Sequence, residues 1–306
     1  MYLTQTDLVN FQLNSAANMQ ISDIIKDLIK ADEQSEEKTA MTDGANYYKG
    51  KNKILDHDFR EYVVDGIIKI NDNASNERII NAYHKILVDQ KVGYVAGNPI
   101  VLSGEDMLTK SIMDLFGQNH FKTCRKWITG ASNKGREYVH LFINAEGKFD
   151  YLILPAEQII PIYDSQFQRE LVAVIRYYTV TVKRTLNGKE ETRYRVEFWD
   201  TEKTYFFAED DAGKFVADPD VDQNPKYHFY VYNTMWPNQR QARSWGRVPF
   251  VELRNNDECL SDITYTKSLI DVYDYNLSSF SNNLADIAKA IWILKNYSGT
   301  SLSEFM

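Results

Sequence analysis

Five histidines and one run of carboxylates are the side chains here best suited to acid–base or metal chemistry. His57, His84, His120, His140 and His228 are scattered, with no HExxH or HxH spacing to bring two imidazoles onto one ion. Each reads as a packed or exposed side chain. Glu209-Asp210-Asp211-Ala212-Gly213, followed by Asp218, Asp220 and Asp222, gathers enough oxygen ligands for Ca²⁺. It lacks the ligand order of an EF-hand and reads as a solvated hairpin turn. No phosphate-cradling GxxxxGK[ST] or GxGxxG loop and no GxSxG nucleophile elbow occurs. No catalytic, metal or cofactor site is therefore assigned. A competing reading keeps Asp210, Asp211 or Asp271 as Mg²⁺ ligands of a nucleic-acid-processing enzyme.

Cys124 and Cys259 lie far apart and outside any CxxC, which is neither a disulfide framework nor a zinc site and fits a reducing compartment. Lys49, Lys51 and Lys53 follow Tyr47 and Tyr48, a cluster that could touch phosphate but reads better as a solubilising face. Trp236, Arg240, Arg243, Trp245 and Arg247 are a richer mixture, because Trp and Arg dominate interface hot spots. They are expected to form a loop that orders against a neighbouring subunit.

The elements that carry these residues follow from composition and periodicity. With 306 residues, the chain has room for two or three domains, and its aromatics (20 Tyr, 15 Phe, 5 Trp) suit strands and interfaces. A net charge of −8 argues against a general grip on DNA phosphates. No basic-then-apolar N-terminus and no apolar run of about 20 residues is present, so a soluble, intracellular protein is expected, with no membrane contact. Ile21, Ile24, Ile25, Leu28 and Ile29 give a first helix an apolar face, and Asp32–Lys38 reads as a solvated end or joint. Ser75 or Asn76 is expected to cap a helix carrying Ile79, Ile80, Tyr83, Ile86 and Leu87, with a glycine-punctuated turn and short strand over 92–100. A helix pair fills 105–130. Strands then dominate: hairpins around Ala145–Lys148 and Asn187-Gly188, and further strands at 203–208 and 229–232, after which 243–253 leads, through an extended end, to a long helix. Helix-rich, strand-rich, then long helix is an α+β order.

That last helix is read as uninterrupted from Asp257 to Ile291. Leu260, Ile263, Ile270, Leu277, Phe280, Leu284, Ile287 and Ile291 recur at steps of three, four or seven, and no Gly or Pro stops the run. The stripe is expected to pack helices together and to join copies of the chain. Asn276, Ser278, Ser279, Ser281, Asn282 and Asn283 crowd the middle and would let copies approach closely. Beyond it, Ser301-Leu302-Ser303-Glu304 resembles a capping box whose helix has barely begun, so the chain reads as C-terminally truncated.

Taken in succession, these segments resemble the portal proteins of siphophage-type tailed bacteriophages. Asn46-Tyr47-Tyr48-Lys49-Gly50-Lys51-Asn52-Lys53-Ile54-Leu55 is similar to the tyrosine–tyrosine–glycine element near the start of that family, and Asn81–Gly97 to the helix and turn that follow. The most specific match is Val248-Pro249-Phe250-Val251-Glu252-Leu253-Arg254-Asn255-Asn256. It continues through Ser261-Asp262, Leu269–Asp274, Asn282–Asp286 and Ile293–Gly299.

The resemblance implies a portal-like fold: a mixed wing over 1–256, a first stem helix over 257–289, and the opening of a clip domain over 290–306. It also implies a homo-oligomeric ring of about twelve subunits closed by head-to-tail contacts. Such a ring sits at a capsid vertex of the virion and is assembled in the host cytoplasm. Double-stranded DNA would pass through it without sequence specificity. Terminase large subunit, scaffold, major capsid protein and head-completion or tail adaptors would be its partners, and no cofactor is implied. Residues 257–306 hold seven carboxylates and three lysines, which suits a conduit that must not grip DNA. A monomeric adaptor with an ordinary buried helix is the third reading.

Overall fold

The computed structural model describes residues 18–164, 170–183, 190–232 and 240–288. They divide into two compact units, a larger one of the described residues within 1–48 and 84–265 and a smaller one of those within 49–83 and 266–306. Helices and antiparallel sheets segregate along the chain, as an α+β order requires.

In the larger unit, α1 (Asn18–Glu33) and α2 (Glu36–Tyr48) meet at a joint made by Ser35, whose Oγ accepts the Lys38 N–H at 3.0 Å. That is an N-cap, and Glu36 and Glu37 in the first turn favour the positive end of the helix dipole. Next come α3 (Tyr83–Val95), α4 (Asp106–Phe116) and α5 (His120–Lys134). Gly135 ends α5 with φ at 85°, and a Cβ there would sit 1.9 Å from the Cys259 carbonyl oxygen. Only glycine meets both conditions.

The strands form a three-stranded sheet from β3 (Arg136–Ile143), β4 (Phe149–Leu154) and β13 (Phe250–Arg254), ordered β13-β3-β4. A larger sheet holds β5 (Ile159–Tyr163), β6 (Leu171–Lys183), β7 (Glu190–Trp199), β8 (Lys203–Glu209) and β10 (Lys226–Tyr227), with β9 (Phe215–Ala217) on β8. A separate ribbon pairs β11 (Phe229–Tyr232) with β12 (Arg240–Arg243). Strand β6 divides two cores by its period of two. Ala173, Ile175 and Tyr177 pack with Ile25, Leu28 and Ile29 of α1, whereas Val174 joins Met41, Tyr138, Leu154 and Phe250. Each fully buried aliphatic side chain contributes about 1.5–3 kcal/mol.

The smaller unit contains a 3-10 turn (Lys53–Asp56), a hairpin of β1 (Glu61–Val64) and β2 (Ile67–Ile70), an extended segment over 75–81, and α6 (Lys267–Ala288). Three expectations need correction here. Residues 75–81 are extended and α3 starts at Tyr83, so Ser75 and Asn76 cap nothing. Helix α3 then runs through Gly93 to Val95, and no strand forms in the expected stretch 92–100. Helix α6 begins at Lys267, not Asp257, because 257–266 winds through turns. Asn256 causes the delay: its side chain accepts the Leu260 N–H at 2.7 Å and donates to the Leu260 carbonyl at 2.8 Å, with Cys259 held at φ 55°.

Candidate assembly surface

Helix α6 has its polarity inside out. Asp274, Ser278 and Asn282 are buried at 0%, 0% and 4% exposure, while Phe280 and Ile287 are exposed at 61% and 64%. The buried polar residues recur every four positions, a stripe that continues to Asp286 and faces the extended segment 75–81.

The pairing is a ladder made by side chains. Asp274 accepts the Asn81 N–H at 3.0 Å, Ser278 the Ile79 N–H at 2.9 Å, Asn282 the Glu77 N–H at 2.7 Å and Asp286 the Ser75 N–H at 2.9 Å. Asn282 also donates to the Glu77 carbonyl at 2.9 Å. Two residues of extended chain rise about 6.6 Å and four residues of helix about 6.0 Å, so the rungs stay nearly in step over four pairs. Asn52 donates to the second oxygen of Asp274 at 2.6 Å. Buried backbone donors must find acceptors, and here a helix supplies what a neighbouring strand normally would. Ser278 and Asn282 therefore serve contacts within their own chain, a use that sequence spacing alone did not suggest.

The opposite face is open and largely apolar, with Asn276 and Asn283 exposed among its apolar side chains. Leu269, Val272, Phe280, Leu284 and Ile287 are exposed and fall in an arc about 120° wide at 3.6 residues per turn. Of the other residues in the expected stripe, Leu260 and Ile263 precede the helix, Ile270 is buried and Leu277 half-buried. Ile291 lies outside the described residues.

The tryptophan–arginine loop divides. Trp236 lies outside the described residues. Trp245 is half-buried with its ring 4.9 Å from Phe229, and its backbone N–H donates to His228 Nδ1 at 3.3 Å, so it packs within its own unit. Arg240, Arg243 and Arg247 are exposed, with Arg240 stacked 4.7 Å above Tyr230. Near the lysine cluster, Tyr47 is buried and Tyr48 donates its hydroxyl to Asp89 at 2.8 Å.

The carboxylate run is built into turns. Asp210 accepts the N–H groups of Ala212 at 2.9 Å and Lys214 at 2.8 Å, while Arg193 pairs with Asp211 and Arg195 with Asp220. Among the described residues, no three His, Cys, Asp or Glu side chains are grouped to hold a metal. Asp271 belongs to the smaller unit, Asp210 and Asp211 to the larger. Cys124 Sγ lies 3.6 Å from His120 Nε2, one turn apart on α5, but burial raises the thiol pKa, the reverse of an activated nucleophile. His140 is buried against Trp199 and Phe250, and burial lowers its pKa to about 4. His84 is buried beside Asn133, at 2.9 Å.

Among the described residues, an exposed and largely apolar helix face is thus present and no group able to hold a metal, the surface of a candidate structural component. Comparison with known proteins gives that class its family. The sequence profile described as "Phage portal protein, SPP1 Gp6-like" matches residues 27–306, and the chain belongs to this family. It is 32% identical over 264 residues to the portal protein of Bacillus phage SPP1, covering 86% of this chain and 50% of that one. The portal protein of Clostridium phage phiCD119 is 29% identical over 295 residues, covering 92% and 60%. The chain therefore spans half to three-fifths of the length of these relatives. The family is structural and not enzymatic. No described helix is long and apolar enough to cross a membrane.

Proposed function

We propose that this chain is a subunit of a portal ring at one vertex of a phage capsid, a conduit for double-stranded DNA during packaging and ejection. In this reading 1–256 serves as the wing, 257–289 as the first stem segment, and 290–306 as the start of the clip. The ring has about twelve subunits, joined by heterologous contacts that close on themselves. Terminase large subunit and head-completion or tail adaptors dock on it, and scaffold and major capsid protein surround it.

One observation carries the proposal: the apolar face of α6, opposite a polar stripe already satisfied within the chain. An exposed, largely apolar face on a folded chain marks an interaction site. A channel wall also need not attract phosphates, and Asp274 and Asp286 are engaged with the segment 75–81 in any case. Electron micrographs of the complete portal polypeptide test the reading. Rings support it, whereas single compact particles would favour a monomeric adaptor.

A further inference from the structure

Among the described residues, the hairpin β1–β2 pairs with no further strand. All eight residues of its strands are exposed, and six are large and apolar: Tyr62, Val63, Val64, Ile67, Ile68 and Ile70. Its turn is well made, with Asp65 at φ 52° and Gly66 at φ 76°, the two positive values of a type I′ hairpin. Register puts Tyr62, Val64, Ile67 and Lys69 on one face and Glu61, Val63, Ile68 and Ile70 on the other. Both faces are apolar, and a lone two-stranded ribbon is marginal in water.

The base of this hairpin is fixed even though the strands are bare. Asp58 and Arg60 form an ion pair at 2.7 Å, and Asn71 donates its N–H to the Arg60 carbonyl at 2.9 Å. Phe59 stacks on Tyr275 of α6 at 5.5 Å, with His57 edge-on to Tyr275 at 5.4 Å. An arm held rigidly at its root and uncovered along its length is preorganised for something outside the subunit.

The same unit offers a crevice of about 570 Å³ between the 3-10 turn and α6, lined by Ile54, Val272 and Tyr275 together with Lys53, Asp56 and Asp271. Its two walls suit a ribbon apolar on two faces. Its charge also matches: Asp56 at the crevice is opposite in sign to Lys69 on the inserted face. The arm does not fill the crevice of its own chain, since every strand residue is exposed. A heterologous contact needs a donor and a different acceptor on each copy.

We infer that the β1–β2 arm of one copy inserts, Tyr62–Lys69 face first, into the crevice between the 3-10 turn and α6 of a second copy. This deepens the ring reading and rests on it.

A cysteine test separates the two. In a Cys124→Ser, Cys259→Ser background, Ile67→Cys protein is mixed with Val272→Cys protein, oxidised, and run on non-reducing gels. A mixed disulfide dimer is expected, at least tenfold above the yield with a Lys214→Cys control in place of Val272→Cys. Yield equal to the control overturns the inference. A Val64→Lys, Ile67→Lys variant supplies a second readout, because these side chains are exposed and the monomer keeps its circular dichroism. Assembly of that variant should need at least tenfold more protein. If it assembles like the parent while Leu284→Asp does not, the arm inference fails and the ring reading stands. If the complete portal polypeptide gives only monomers in sedimentation, both fall.

Discussion

Glu137 and His140 lie three residues apart on β3, both buried, and they respond to acid in opposite senses. Burial raises the Glu137 carboxyl pKa from 4.5 to about 7 despite Lys134 at 2.8 Å. Its stabilising contribution is complete below pH 4.5 and is lost as pH rises through 7. Burial lowers the His140 pKa from 6.5 to about 4, so its contribution is complete above pH 6.5 and is lost as pH falls through 4. Each shift corresponds to about 3 kcal/mol at 1.36 kcal/mol per unit. On acidification from pH 7 the gain at Glu137 offsets the loss at His140. Glu137→Gln should unmask that loss: stability from urea unfolding should fall by about 3 kcal/mol between pH 7 and pH 4, a steeper decline than in the parent. His84 and His228, also held down by burial, add to the slope in both proteins. Equal slopes would show that Glu137 does not titrate there. Gly44 gives a steric test at the same scale. A Cβ at Gly44 would lie 1.7 Å from the Asn133 carbonyl oxygen, which already accepts from Ser261 at 2.5 Å. Alanine gains about 1 kcal/mol of helix propensity, but prising α2 from α5 costs about 1–3 kcal/mol and breaks that hydrogen bond. Gly44→Ala should therefore lower the thermal midpoint, and an unchanged midpoint would refute the close approach.

Among the elements, the β6–β7 and β3–β4 hairpins were legible because their signals are local. Phe149–Leu154 pairs with Tyr138–Ile143 around the expected turn. Strands β6 and β7 pair on either side of Asn187-Gly188, itself outside the described residues. The β1–β2 hairpin escaped notice although Asp65-Gly66 is as strong a turn signal, because continuous apolar residues hid the alternation. Segment 75–81 misled for a different reason. Ile79, Ile80 and Tyr83 carry helical spacing, but the backbone groups of 75–81 are claimed by side chains about 200 residues away in sequence, beyond any local window. The apolar stripe of α6 was readable as a period, yet its outward direction was not, since only the ladder fixes which face turns in. Asn282→Leu tests the ladder. It leaves both the N–H and the carbonyl of Glu77 without their partner, which should cost about 1–3 kcal/mol per orphaned group in chemical unfolding. A neutral result would mean that water satisfies the segment equally well.

For the molecule as a whole, family membership and the α6 surface point to assembly. Phe280→Asp or Leu284→Asp should leave monomer stability within about 0.5 kcal/mol, since both side chains are exposed. The same variants should remove higher-order species in sedimentation, because a shared interface would then bury an unpaired carboxylate. Assembly equal to the parent would mean the face is not a contact. The smaller unit has a consequence for biosynthesis too. Asn81 and its acceptor Asp274 are 193 residues apart, and the intervening chain belongs almost wholly to the larger unit. At about 5–20 residues per second, the ribosome emits the β1–β2 arm and its ladder segment roughly 10–40 s before α6 exists to receive them. During that interval the nascent chain displays a greasy ribbon with open edges, and it is the stage of its life most exposed to aggregation and most in need of chaperone cover.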